Sequence, residues 1–335
     1  MIPHLPGEGP RDLSRPLTEI RIQVPRERDG ARLDQTLQQF LHWRSRNSIH
    51  RLIKAGHVLL AERSARPSRR VHAGEVILVR IPPRPELPAV APMDFDLPIL
   101  FEDRFMIAVD KPAGLAVHPA GRTVHGTLIH YLHQRYRRGE DHAQDVIPRL
   151  MHRLDRETSG VVAIGLDEHF HGEVTKQFED RQVSKIYLAV IHGRPPQDSG
   201  IIDFGIGPDQ RSAIRLKLEA RRDGSGLPAL THYQLLETKA GYSLVELAPR
   251  TGRTHQLRVH MAAIGCPLVG DKIYGPDENI FLENLEGELS EASLERMVLS
   301  RHALHAHRLR IYHPRLKQDL ELVAELPADM RALVY

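Results

Sequence analysis

Six prolines stand at positions 82, 83, 85, 88, 92 and 98 of the chain. Each fixes its own φ, removes a backbone donor and biases its predecessor away from the helical region, so no helix or central strand continues through such a stretch. The chain is expected to fold as separate bodies on either side, joined by an extended, stiff connection over residues 82–98. A length of 335 residues suits two domains. With 41% hydrophobic and 27% charged residues the chain can bury a core, and it has no apolar run of the ~18 residues a membrane span needs. The opening "MIPHLPGEGPRDLSRP" lacks the apolar stretch of a secretory signal. A single cysteine, Cys266, rules out an internal disulfide and a zinc framework, which points to a reducing cytoplasm.

Charge separates the two sides of the prolines. Residues 32–84 hold eleven Lys or Arg against three acids, although the net charge of the whole chain is only +3. Such a local excess suits a small polyanion-binding domain joined to a body that is not itself basic. Arg44, Arg46, Arg51, Lys54, Arg66, Arg69 and Arg70 are the candidate contacts. Within residues 32–81, "ARLDQTLQQFLHW" and "SRNSIHRLIKAG" carry helical spacing, the second closing on Gly56, while "HVLLA" and "EVILVRI" read as short strands. Residues 1–31 balance five bases with five acids and show little apolar periodicity, so they are expected to be disordered or extended.

Beyond residue 98, strand-like runs alternate irregularly with helical ones, without βαβ regularity. The expected class is α+β, with a mixed, largely antiparallel sheet and flanking helices in a second domain over residues 99–335, which the resemblance given below makes the catalytic domain. Residues 277–299, with seven acids and one base, read as a surface insertion.

Three segments could carry chemistry. In "LMHRLDRETSGVVAIGL" Asp155 lies between Arg153 and Arg156, at the head of a segment that reads as a buried strand; a carboxylate there can serve as nucleophile or base, or simply bond loop amides. In "PRTGRTHQLRVHMAAIG" Leu257, Met261 and Ile264 form an apolar stripe that leaves His255 and Arg258 outside it, and Arg250 and Arg253 crowd the loop before the helix, a setting suited to phosphate. In "SKIYLAVIHG" Ile186, Leu188 and Val190 share one face, so Tyr187 and Ala189 point to the other, where a tyrosine can line a cleft. The histidines of "RHALHAHRL" (His302, His305, His307) and of "THQLRVH" (His255, His260) lack the i, i+4 pair with an acidic partner that a zinc protease uses, and nearby arginines repel a cation, so no metal is expected. Neither a nucleophile-elbow serine nor a phosphate-binding or dinucleotide glycine motif occurs.

Taken in order, "VDKPAGLAVHPA" (109–120), "HRLDRETSG" (152–160), "SKIYLAV" (184–190), "RTGRTHQLRVHMAAIGCPLVGDKIYG" (250–275) and "ALHAHRLRIYHP" (303–314) resemble the RluA-type pseudouridine synthases, in the branch that acts on large-subunit ribosomal RNA. Residues 32–81 resemble the small RNA-binding module of a ribosomal small-subunit protein, with Leu60-Ala61-Glu62 where that module usually turns on Val-Asn-Gly. The resemblance implies a central catalytic cleft and cofactor-free isomerisation of uridines in structured RNA. In it Asp155 is the essential nucleophile or base, Tyr187 packs on the uracil and takes the carbon-5 proton, Arg258 is the ion-pair partner of Asp155, and Arg153 fills the space left by the extruded uridine. Arg250, Arg253 and His255 join the basic domain in binding RNA. The implied partner is ribosomal RNA or a pre-ribosomal particle, met by a cytoplasmic monomer without membrane attachment; a transfer RNA synthase and a non-catalytic ribosome-assembly protein are the alternatives.

Overall fold

The computed structural model describes residues 19–41, 46–61, 63–80, 97–119, 125–137, 146–212, 214–275, 277, 279–286 and 290–335. Arg44, Glu62 and nearly all of the proline-rich connection lie outside them. The described chain forms two compact units, one around residues 19–80 and the other around residues 97–119 and 148–335, with the short segments 127–129 and 130–137 counted to the second and the first respectively.

In the first unit β1 (Glu19–Gln23) precedes α1 (Leu33–Phe40), α2 (Arg46–Lys54), β2 (Val58–Leu60), β3 (Arg63–Ser64) and β4 (Val76–Arg80). The strands make an antiparallel sheet in the order β1-β4-β2-β3. Leu33, Leu37, Ile49, Leu52 and Ile53 of the helices share one core with Ile20, Ile22, Val58 and Val79 of the sheet. Asp34, buried on α1, takes Arg32 at 3.0 Å, His50 at 2.9 Å and Arg46 at 3.6 Å, which ties α1 to α2. The Arg32 hydrogen bond is the largest of the causes that hold its carboxyl well below the usual range. Arg51 and Lys54 on α2, and Arg66, Arg69 and Arg70 in the loop before β4, are exposed. Strand β1 lies inside the segment 1–31 that the sequence left outside the domain. Only Ile20 and Ile22 alternate with its polar residues, too short a pattern to stand out before the pairing with β4 is seen.

After residue 96 come β5 (Ile99–Glu102), β6 (Met106–Lys111), α3 (Leu128–Arg135), β7 (Arg149–Leu150), β8 (Ser159–Gly165), α4 (Glu168–Glu179), β9 (Ser184–His192), β10 (Ser199–Ile202), β11 (Gly205–Pro208), β12 (Leu218–Arg221), β13 (Thr231–Lys239) and β14 (Tyr242–Pro249). Then follow α5 (Gln256–Ala263), α6 (Asn279–Glu286), α7 (Glu291–Met297), β15 (Leu304–His313), β16 (Gln318–Val323) and α8 (Ala328–Val334). One sheet of ten strands runs β10-β13-β14-β9-β15-β8-β6-β5, with β16 also on β15 and β7 on β8. Among its described pairs only β8 with β15 is parallel. The α+β class with a mixed, largely antiparallel sheet is therefore the fold observed. The acid-rich stretch 277–299 carries α6 and α7, and its Arg296 pairs with Asp277 at 2.8 Å.

Apolar residues on both faces of the sheet explain where the helices lie. Val161 and Ala163 of β8 pack with Phe170 and Val174 of α4, while Ala189, Ile191, Val245 and Leu247 pack with Leu257 and Met261 of α5. Leu188, Val190 and Leu244, on the opposite face of β9 and β14, pack with Met330 and Val334 of α8. The alternation expected along β9 is present, yet the face assigned to Tyr187 is not a bare cleft wall: it is a second core layer on which Tyr187 packs half-buried. No helix among the described residues is long and apolar enough to cross a membrane.

All seven residues of β8 are buried, which makes it the rigid support for what precedes it. Its second residue, Gly160, lies at φ +108°, and a Cβ there would sit 2.3 Å from the carbonyl oxygen of Ala306 on β15. Gly160→Ala is expected to lower unfolding free energy by more than about 3 kcal/mol, because both the backbone angle and the strand approach oppose a side chain. Gly172→Ala, on the exposed face of α4 with nothing within 4 Å, should leave stability unchanged or raised by about 0.5–1 kcal/mol. Denaturant unfolding of both variants checks the pair.

Candidate active site

Asp155 stands in the loop between β7 and β8, and buried polar groups hold that loop on several sides. Lys111, at the end of β6, is fully buried and donates through Nζ to the carbonyls of Pro112 at 2.8 Å, Leu115 at 3.0 Å and Arg156 at 3.2 Å. Burial pulls its ammonium down to about 7. Arg156 returns the link, donating from Nε to the Gly114 carbonyl at 2.9 Å while its own carbonyl accepts the Gly114 amide at 2.9 Å. On the other side Glu157 accepts Lys272 Nζ at 2.6 Å and the His302 amide at 3.2 Å. Thr158 bonds the ring of buried His302 at 2.7 Å.

The histidines that could suggest a metal are used in this scaffolding. His305 donates from Nε2 to the Ala324 carbonyl at 3.0 Å, so its Nδ1 accepts the Ser159 hydroxyl at 2.9 Å. His307 also bonds the Ala324 carbonyl, at 2.7 Å. His260 lies between the Phe204 carbonyl at 3.1 Å and Thr231 Oγ1 at 2.9 Å. Among the described residues no three metal-ligating side chains converge.

Facing Asp155 is Arg258 from α5, only 5% exposed. Its Nη1 donates to Asp155 Oδ2 at 3.0 Å, while Nε and Nη2 form a fork on Asp271, at 2.7 and 2.8 Å. Asp271 Oδ1 is itself fixed by the amides of Ile273 at 2.9 Å and Tyr274 at 3.0 Å, and the Tyr274 ring lies 5.1 Å from the guanidinium carbon. Burial, the largest influence, works to raise the Asp155 pKa; Arg258, then His255 and His302, outweigh it, and the carboxyl stays below its ordinary value. Asp155 is therefore anionic at neutral pH. Its Oδ2 is taken by Arg258, whereas Oδ1 has no hydrogen bond among the described residues, and the side chain is 34% exposed. Tyr187 is pushed up by burial first and by the Asp155 charge second, so it is a neutral phenol.

The loop before α5 carries Arg250 and Arg253, while Arg258 lies on the helix itself. Arg258 is buried in ion pairs, Arg253 is half-buried and donates from Nε to the Pro228 carbonyl at 3.1 Å, and Arg250 is exposed. The loop is fixed by Gln256, which reading the sequence did not single out. Its amide oxygen accepts Thr251 Oγ1 at 2.7 Å and the Arg253 amide at 3.1 Å, and its nitrogen donates to the Leu230 carbonyl and Thr231 Oγ1, both at 3.0 Å. His255 reaches within 4.0 Å of Asp155 Oδ2. Arg153 is exposed in the same loop as Asp155, with Nη1 3.4 Å from Nε2 of His118.

Asp271 is the other residue missed. A signal was present: an arginine destined for a buried helix face needs more than one carboxylate partner if the first is to stay open to a ligand, and "GDKIYG" supplies an acid thirteen positions after Arg258.

The described geometry, a buried guanidinium holding a half-open carboxylate at the head of a buried strand, occurs in a chain whose residues 105–263 match the model of the RNA pseudouridylate synthase family. Residues 31–77 match the S4 domain. The chain is 37% identical over 330 residues to an uncharacterized RNA pseudouridine synthase of Chloroflexus aurantiacus, covering 98% of this chain and 96% of that one. It is 35% identical over 319 residues to the ribosomal large subunit pseudouridine synthase D of Neisseria meningitidis serogroup A, covering 94% and 81%. Among solved structures, human RNA pseudouridylate synthase domain containing 1 matches with a TM-score of 0.56 at 26% identity, over 71% of this chain and 88% of that one. With likeness of this extent at both levels, the chain belongs to the RNA pseudouridylate synthases, isomerases of uridine in RNA.

Proposed function

We propose that this protein converts specific uridines of large-subunit ribosomal RNA to pseudouridine, with Asp155 as the reacting carboxylate. The observation that carries the reading is the asymmetry of that carboxylate: Oδ2 is bound by Arg258 at 3.0 Å and Oδ1 is left for a ligand. The name of the Neisseria relative supports ribosomal RNA as the substrate, and the S4 domain supports RNA contact through the first unit. Asp155, Arg258 and Asp271 all come from one chain, consistent with a monomer at work. The single cysteine fits a cytoplasmic setting.

The base must leave ribose, turn and rejoin through carbon 5. Whether the carboxylate attacks the ribose, attacks the base or removes a ribose proton, it has to be anionic and held within a few tenths of an ångström, and the Arg258 pair meets both needs. A stacked uridine has first to swing out of its helix, at a cost of a few kcal/mol in stacking and pairing. Exposed Arg153 is placed to offset part of that cost, its flat guanidinium stacking where the base had been. Tyr187 lies near enough to feel the Asp155 charge, and its raised pKa favours ring packing on the uracil over service as a phenolate base. Exposed Arg51, Lys54, Arg66, Arg69 and Arg70 then contact phosphates and add affinity by counterion release.

Asp155→Asn is expected to fold, because Arg258 keeps its fork on Asp271, and to bind RNA within about threefold of wild type while conversion falls by at least roughly 10⁴-fold. Site-resolved pseudouridine mapping on deproteinised ribosomal and transfer RNA from cells lacking the protein checks this; equal conversion by both proteins refutes the assignment, and a mark confined to transfer RNA refutes the substrate. For the first unit, Arg51→Ala with Lys54→Ala and Arg66→Ala should flatten the slope of log affinity against log salt by up to about 0.9 for each phosphate that is no longer neutralised. A slope that stays as steep as wild type contradicts phosphate binding by these residues.

A further inference from the structure

His255 immediately precedes α5 with its backbone in the left-handed region, at φ 55° and ψ 15°. A residue with a Cβ adopts that conformation at a cost, and such residues gather at functional sites. The helix does not require a histidine there: the side chain makes no cap hydrogen bond, and glycine would suit the backbone better. What the conformation accomplishes is the aim of the ring. Nδ1 lies 2.8 Å from the Tyr274 hydroxyl, and Nε2 lies 4.0 Å from Asp155 Oδ2.

The tautomer follows from counting donors. The Tyr274 oxygen already accepts the Leu218 amide at 3.1 Å, and among the described residues its own proton has only His255 Nδ1 as acceptor. Tyr274 therefore donates to Nδ1, which leaves the hydrogen on Nε2, the nitrogen facing Asp155. That N–H approaches the same oxygen that Arg258 holds at 3.0 Å. At 4.0 Å it is too long for a hydrogen bond, though a side-chain shift of about one ångström would make one. Tyr274 thus touches both donors, bonding His255 through its hydroxyl and lying against Arg258 with its ring.

We propose that His255 is a positioning residue for the isomerisation: its Nε2–H closes on Oδ2 of Asp155 as the uridine enters, so that two donors hold Oδ2 and Oδ1 alone meets the nucleoside. Tyr274 sets the tautomer that makes this possible. The inference rests on Asp155 being the reacting carboxylate, so its test carries Asp155→Asn alongside.

Single-turnover conversion and RNA affinity are measured for full-length His255→Ala, His255→Gln, His255→Gly, Tyr274→Phe and the His255→Ala/Tyr274→Phe double variant. His255→Ala is expected to slow conversion roughly 10- to 100-fold, the range found when a group that orients a reacting ligand is removed, with affinity within about threefold of wild type. His255→Gln, whose amide N–H can occupy the place of Nε2–H, should recover part of the rate. Tyr274→Phe should slow conversion alone and add nothing to His255→Ala, since it acts through the same ring. His255→Gly, which relieves the left-handed backbone, should keep or raise the thermal midpoint and still lose the rate. An unchanged rate in His255→Ala, additive losses in the double variant, or a loss confined to affinity overturns the inference. With Asp155→Asn inactive, such a result removes only the role of His255; an active Asp155→Asn removes the reading of Asp155 itself.

Discussion

A guanidinium buried to 5% exposure keeps its charge and is costly to bury without carboxylate partners, and Arg258 has two. Asp271 binds it with a bidentate fork, which is both the stronger geometry and the one that fixes the plane of the group. The remaining Nη1 is thereby aimed at Asp155, which is bound through a single oxygen. The division of labour matters. If Asp155 were the fork partner, both of its oxygens would be engaged and none would be available to a substrate. Burying one arginine with two acids leaves a surplus of negative charge, and the backbone amides of Ile273 and Tyr274 on Asp271 absorb part of it.

The rest of the second unit keeps the loop of Asp155 in register with that guanidinium. Lys111 draws three carbonyls together beneath the loop, Glu157 and Thr158 bond Lys272 and His302 behind it, and Gly160 lets β15 approach β8 more closely than any side chain would allow. These contacts come from β6, β8, β15 and the segment after α5, elements far apart in sequence. Together they restrain a carboxylate whose chemistry tolerates a displacement of only about a few tenths of an ångström. Gln256 performs the same service for α5, binding its N-terminal loop to the start of β13, so both members of the Asp155–Arg258 pair are seated on fixed supports.

Much of this was legible from sequence, for identifiable reasons. Periodicity located α1, α2, β2, β4, β8 and β9, and the absence of βαβ regularity pointed to the mixed sheet that the chain forms. Periodicity cannot tell whether the far face of a strand meets solvent or a second helix, so it places Tyr187 opposite Ile186, Leu188 and Val190 without showing the second core layer on which it packs. Strand β1 escaped because two isoleucines among charged residues acquire meaning only through their pairing with β4. Motif order brought Asp155 and Arg258 together before any geometry was known. Gln256 and the Tyr274–His255 bond were not legible, since each depends on which groups meet across a fold and not on spacing along a chain; Asp271 left only the general signal that a buried arginine needs a second acid. Nor could composition tell that Arg253 bonds the Pro228 carbonyl or that Arg258 forks onto Asp271, since both partners are set by the fold.

The claim that an internally held guanidinium keeps Asp155 ionised is tested most directly by the pH dependence of single-turnover conversion with and without that group. With Arg258 present the carboxylate is fully ionised from pH 5 to 8, so no acid limb should arise from it. In Arg258→Met the strongest counterweight to burial is lost and only the lesser influences of His255 and His302 remain, so the pKa rises and the residual rate should climb with pH across this window as the carboxylate regains its charge. A residual rate in Arg258→Met that does not change with pH, in a protein that still folds and binds RNA, would contradict the account.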